Sequence, residues 1–119
     1  MATIWRLSDP AAFARLRSTR QRARTDALWL AHAAPLDPAI PPRVAFAISR
    51  KVGGAVVRNR IRRRLRAALL AVELPAGDYL VGATPAAAHA TWIELNQQVS
   101  GMIRSISSRR PAELPLGSA

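Results

Sequence analysis

Apolar positions recur along the chain in two rhythms, every third or fourth residue and every second, and the breaks between them delimit the elements. Ser8 or Asp9 can cap a helix whose first turn holds Pro10, and "PAAFARLR" sets Phe13 and Leu16 three apart on one side. A helix of about two turns follows from that spacing. "STRQRAR", residues 18–24, is polar, basic and without helical period, which predicts a short strand or extended arm. "DALWLAHA", residues 26–33, alternates around Leu28 and Leu30 and predicts a strand. Pro35, Pro38, Pro41 and Pro42 then remove backbone donors and impose a loop, which leads into a further strand, "RVAFAIS". Beyond Gly53-Gly54 a helical period runs to about Val72, "LPAG" breaks it, and "DYLVGA" predicts a strand over residues 78–83. Thr91 and Glu94 have the spacing of a capping box, and Leu95, Val99, Met102, Ile103 and Ile106 continue a last helix from about Trp92 to Ser107. Residues 1–109 thus read as one domain, and 110–119 as a disordered tail.

The helix after the glycine pair is the unusual one. At about 100° per residue, Val57, Ile61, Leu65, Ala68, Leu69 and Val72 fall within an arc of about 120°, the width of a buried stripe. The remaining surface divides into a stripe of Asn59, Arg62 and Arg66 and a second of Arg60, Arg63 and Arg64. Eight positive charges lie between Arg50 and Arg66 with no acid among them. Solvated faces ordinarily alternate sign, because like charges four apart, as in Arg58 with Arg62 or Arg60 with Arg64, cost about 0.2–0.5 kcal/mol each. Repulsion this dense implies a polyanionic partner.

Composition sharpens that reading. The formal charge is +11, a field that draws in nucleic acid or an anionic membrane. A membrane-surface helix needs large apolar residues opposite its charges, and here that face is mid-sized and required for the core. Arginine is favoured over lysine, Lys51 being the sole lysine, which suits bidentate and stacking contacts. No cysteine is present, so disulfides, zinc knuckles and thiol nucleophiles are excluded. His32 and His89 are the only histidines and no close carboxylate pair offers two-metal chemistry. A DNA-reading helix would need Asn or Gln beside Arg on one face, for which Asn59 alone is thin support. No signal peptide or membrane span is apparent, and a cytoplasmic location is expected. Half the residues are hydrophobic, many of them alanine, so the core should rest on a few large residues such as Trp5, Leu28, Leu30, Phe46 and Ile48.

The segment "RVAFAISRKVGGAVVRNRIRRRLRAAL", centred on Arg58-Asn59-Arg60, resembles the signature region of the bacterial ribonuclease P protein component. Arg6-Leu7, Phe13, the strand over 78–83 and the closing helix fit the same pattern. The resemblance implies an α/β (α+β) fold of order α-β-β-β-α-β-α, a two-layer sandwich like domain 2 of ribosomal protein S5, with a left-handed βαβ crossover. It also implies a non-catalytic protein subunit: the RNA subunit, holding Mg2+, removes the 5′ leader from precursor tRNA. The partners are then the catalytic RNA and the precursor's 5′ leader, with neither membrane nor DNA. On this basis Phe13, Arg17, Trp29, Asn59, Arg62 and Arg66 are assigned to the leader, and Arg50, Lys51, Arg58, Arg60, Arg63 and Arg64 to the catalytic RNA. Arg17 stands where many members carry a second aromatic, Arg20 where glycine is usual, and Ala31 where an aromatic is common, so the stacking platform is reduced. Trp29, on the strand face of Ala31, either compensates or packs in the core. A ribosomal-type RNA-binding protein without a leader cleft is the rival reading.

Overall fold

Asp9 accepts a hydrogen bond from the Ala11 amide (3.0 Å) and Pro10 opens the first turn, so the first helix starts where its capping chemistry places it. The computed structural model describes residues 4–109. Its elements are β1 (Trp5–Arg6), α1 (Pro10–Ser18), β2 (Gln21–Arg24), β3 (Leu28–Ala33), β4 (Arg43–Ala47), α2 (Ala55–Leu70), β5 (Asp78–Ala83), a 3-10 turn over Pro85–His89, and α3 (Trp92–Arg109). The tail expected to be disordered, residues 110–119, lies outside the described residues.

The strands form one mixed sheet in the order β1-β4-β5-β3-β2. β4 runs parallel to both β1 and β5, β3 antiparallel to β5 and β2, and α2 lies in the connection between β4 and β5. The architecture is α+β. Leu28, Leu30, Val44, Tyr79 and Val81 form the larger core with Ile61, Leu65 and Leu69 of α2 and Leu95, Val99 and Met102 of α3. Ala31, Ala33, Ala45 and Leu80 face the other way and pack against Ala12, Phe13 and Leu16 of α1. The period-two alternation of β3 is thus divided between two apolar clusters.

Three expectations need amending. Trp5 is half exposed rather than part of the core. With Arg6 it forms a two-residue strand, held by Trp5 N donating to Pro42 O (2.9 Å) and Leu7 N to Val44 O (3.1 Å). A pairing made by backbone alone, with both side chains outward, leaves no pattern in the sequence. The 3-10 turn is likewise additional, and α2 ends at Leu70 rather than near Val72. The capping box of α3 forms reciprocally: Thr91 N donates to Glu94 Oε1 (2.8 Å) and Glu94 N to Thr91 Oγ1 (3.1 Å).

One glycine is obligatory. Gly77 enters β5 with φ +132°, and a Cβ there would collide with the Ala33 carbonyl oxygen and the His32 imidazole. Gly77→Ala is expected to cost roughly 2 kcal/mol or more, read as a fall in Tm on the order of 10 °C.

Candidate nucleic-acid interface

The register of the sheet places its α1-facing side chains in three rungs. The first holds Arg43, Asp78 and Ala33; the second Ala45, Leu80, Ala31 and Arg22; the third Ala47, Gly82, Trp29 and Arg24. Each rung has its own chemistry. On the first, the buried Asp78 carboxylate accepts from Arg43 Nε (2.8 Å) and NH2 (2.9 Å) and from Arg15 NH1 of α1 (3.0 Å). Arg15 NH2 also donates to Ala34 O (2.5 Å), so α1 is tied by charge to one end of the sheet. The Arg43 guanidinium is held above its ordinary pKa, chiefly by its hydrogen bond to Asp78. Burial opposes this, and the charges of Asp78 and Asp9 add to it. On the second rung, α1 covers the sheet with Phe13 and Leu16.

β1 pairs with β4 only at Arg43 and Val44, so Ala45–Ala47 lie beyond its reach. A groove of ≈ 670 Å³ opens there, lined by Arg6, Leu7, Phe13, Val44, Ala45, Phe46, Arg62, Arg63 and Arg66. Two partly exposed aromatic rings, Phe13 from α1 and Phe46 from β4, thus share a concavity with four guanidinium groups from β1 and α2. Aromatic faces beside arginines suit an unpaired nucleotide, base on ring and phosphate on guanidinium. Among the described residues the ion pairs are those of Asp78 with Arg15 and Arg43, which leaves the groove's arginines without a protein counter-charge.

The two stripes read from the helix wheel meet the fold unevenly. Phe13, Arg62 and Arg66 come together in the groove, and Arg63, assigned to the opposite stripe, lines it with them. Asn59 sits beside it, its Oδ1 accepting from Arg62 NH1 (2.6 Å), in a shallow extension lined by Val56, Asn59, Arg62 and Arg63. Arg17 is exposed in the last turn of α1 and is not part of the lining. Trp29 belongs to neither apolar cluster; it lies on the third rung against Gly82, where any Cβ would fall inside the indole. Arg50 and Lys51 are exposed in the turn before α2. Arg58, Arg60 and Arg64 are half-buried on its flanks, and the Nε atoms of Arg58 and Arg60 are buried without a hydrogen-bond partner among the described residues. Gly54 caps α2 without a side-chain hydrogen bond, and a Cβ on Gly53 would press on Val57 at 2.9 Å.

Arg6 and Phe46 were not singled out from the sequence as interface residues. The alternation of β4 gives Phe46 the same face as Val44 and Ile48, a core position by pattern; only the early end of β1 exposes it. Among the described residues no group of three or more His, Cys, Asp or Glu side chains gathers as a metal site, and no helix is long and apolar enough to cross a membrane.

Known proteins resemble this chain in sequence and in fold. The chain is 48% identical over 81 residues to the ribonuclease P protein component of Beutenbergia cavernae, covering 66% of this chain and 68% of the relative. It is 45% identical over 95 residues to that of Thermus scotoductus, covering 78% of this chain and 54% of the longer relative. The fold is that of the Staphylococcus aureus RNase P protein, with a TM-score of 0.73 at 21% identity over 84% of this chain and 93% of that one. The profile of the family described as Ribonuclease P matches residues 1–107, and the chain belongs to that family.

Proposed function

We propose that the protein is the RNA-binding subunit of ribonuclease P, and that it grips the 5′ leader of precursor tRNA in the groove between α1 and α2 while the RNA subunit carries the chemistry. The observation that carries this reading is the groove itself: Phe13 and Phe46 beside Arg6, Arg62, Arg63 and Arg66, open to solvent and lacking acidic partners. Stacking positions the strand and charge-assisted contacts hold its phosphates. Arg50, Lys51, Arg58, Arg60 and Arg64, on the turn and flanks outside the groove, are left to face the catalytic RNA. Arg63 moves to the leader side in this assignment.

Magnesium belongs, in this reading, to the RNA. The buried carboxylate Asp78 is occupied by two guanidiniums, so this donor set does not fit a resident ion. The protein's part is to screen phosphate repulsion and raise substrate affinity.

Reconstitution with bacterial ribonuclease P RNA at low magnesium tests this directly. Leader cleavage should be stimulated, and precursor should bind more tightly than mature tRNA only when the protein is present. A ribosomal-type RNA-binding protein would show neither effect.

A further inference from the structure

Where α2 ends, the chain leaves an apolar cavity of ≈ 480 Å³, lined by Ile4, Pro42, Leu69, Leu70, Val72 and Leu74. It shares no residue with the groove. We infer that this cavity docks a short segment of a partner protein, one that carries a large apolar side chain next to lysine or arginine. Its volume is that of an ordinary ligand site. Leu70, in the lining, stays 39% exposed, and Trp5, beside Ile4 in the chain, is 50% exposed. A second hollow, lined in part by Leu36, Ile40 and Pro41, adjoins it through the Pro41-Pro42 pair, and there Leu36 is 84% exposed. Exposed apolar side chains are ordinary when scattered singly, but gathered at one end of a fold they mark an interaction site.

The charge around the cavity identifies the partner. Glu73 is the charged residue of its lining, exposed and without an ion pair or hydrogen bond to the described residues. α2 carries no basic residue in its last turn, so the helix itself offers no cation to offset the negative end of its dipole. In the adjoining hollow Asp9 and Asp37 are exposed, while Arg43, the cation of that lining, is held by Asp78. This end of a chain of charge +11 therefore favours a cation locally over a phosphate, which sets RNA and an anionic membrane aside. A second copy is opposed by the repulsion between two such charges. A basic segment with an apolar anchor suits both the lining and the rim. The cavity also stays open in the assembly proposed above. Pro42 precedes β4 and Leu74 follows α2, whereas Arg50 and Lys51 lie past the other end of β4 and before α2. The 16 residues of α2 set these two ends about 24 Å apart, so RNA held at the turn leaves the far end of the helix uncovered.

The test titrates two short peptides into the free chain and into the reconstituted holoenzyme. One holds a pair of leucines among lysines and arginines; the other has glutamate in place of each basic residue. Binding is read on the methyl signals of Leu70 and Leu74, which a peptide bound only to RNA does not move. The basic peptide should bind both forms and the acidic peptide neither. Leu70→Ser and Glu73→Lys should each weaken binding about 10-fold while leader cleavage is unchanged. Both residues are exposed, so the variants keep the fold, which an unchanged Tm verifies. Arg62→Ala, in the groove, should leave peptide binding as it is, so this inference and the leader reading fail separately. Equal binding of the two peptides, no binding by about 1 mM, or full affinity in both variants overturns the inference. Binding that appears only in a chain ending at Arg109 would make residues 110–119 the occupant and overturn it too. Self-association abolished by Leu70→Ser would do the same in favour of a second copy.

Discussion

Replacing Arg62 and Arg66 together by alanine is expected to weaken binding of leader-bearing precursor by on the order of 100-fold, while mature tRNA loses little. Each guanidinium faces the groove from α2 with no acidic partner to desolvate or to compete with, so its free energy is available to a phosphate. A hydrogen bond to a charged group is worth about 1.5–3 kcal/mol, and two at the lower end give the stated factor. The salt dependence reports the same contacts: losing two should reduce the slope of log affinity against log salt by about 1.4 on a single strand. Arg62 also donates to Asn59, so Asn59→Ala should show a smaller loss through freedom of the Arg62 side chain rather than through a lost contact. The pair Arg60→Ala and Arg64→Ala, outside the groove lining, should instead weaken assembly with the catalytic RNA. Equal losses on leader-bearing and mature tRNA from Arg62 and Arg66 would remove the groove from the leader's path.

Asp78→Ala should destabilise the fold by about 3 kcal/mol, a fall in Tm of roughly 15 °C. Its carboxylate is the counter-ion of two guanidiniums whose side chains are only 27% and 25% exposed. Removing it leaves both cations partly buried and unpaired, which is the costly way to break such a cluster. It also releases α1 from the first rung, so leader affinity should fall although no groove residue has changed. Asp78→Asn keeps the shape but not the charge and should recover only part of the loss. The sign with pH follows from Arg43, whose folded pKa is raised. Its contribution is complete below the unfolded value and is lost only as pH rises through the folded one, beyond the alkaline range. Stability supplied by this pairing should therefore be flat in pH around neutrality, and a strong neutral-range dependence confined to the wild type would contradict it.

Much of the fold was legible because its signals are local. The cap at Asp9, the prolines before β4, the alternation of β3 and the Thr91–Glu94 box each involve residues within a few positions of one another, and each element formed where its signal stood. The buried stripe of α2 was equally readable, with Ile61, Leu65, Ala68 and Leu69 fully inside. Trp5 was misplaced because hydrophobicity favours burial only on average, and here the residue extends an edge through its backbone. Arg63 lines the groove beside Arg62 and Arg66 although the wheel sets it on the other stripe, because a wheel gives angles about one axis, whereas a groove is bounded by what stands beside the helix.

Sequence by itself determined the charge, the helix that concentrates it, and the lack of any cysteine, since these depend on residue identity and on spacing along one axis. The tertiary structure alone decided which arginines meet an aromatic ring. Phe13, Phe46, Arg6 and Arg62 converge because β1 stops after two residues and leaves the rest of β4's edge open between two helices. Trp29 faces outward rather than into the core because strand register sets it over Gly82, more than fifty residues away in the chain. Register and edge exposure are relations between distant segments, fixed by how the whole sheet closes, and no window of sequence contains them.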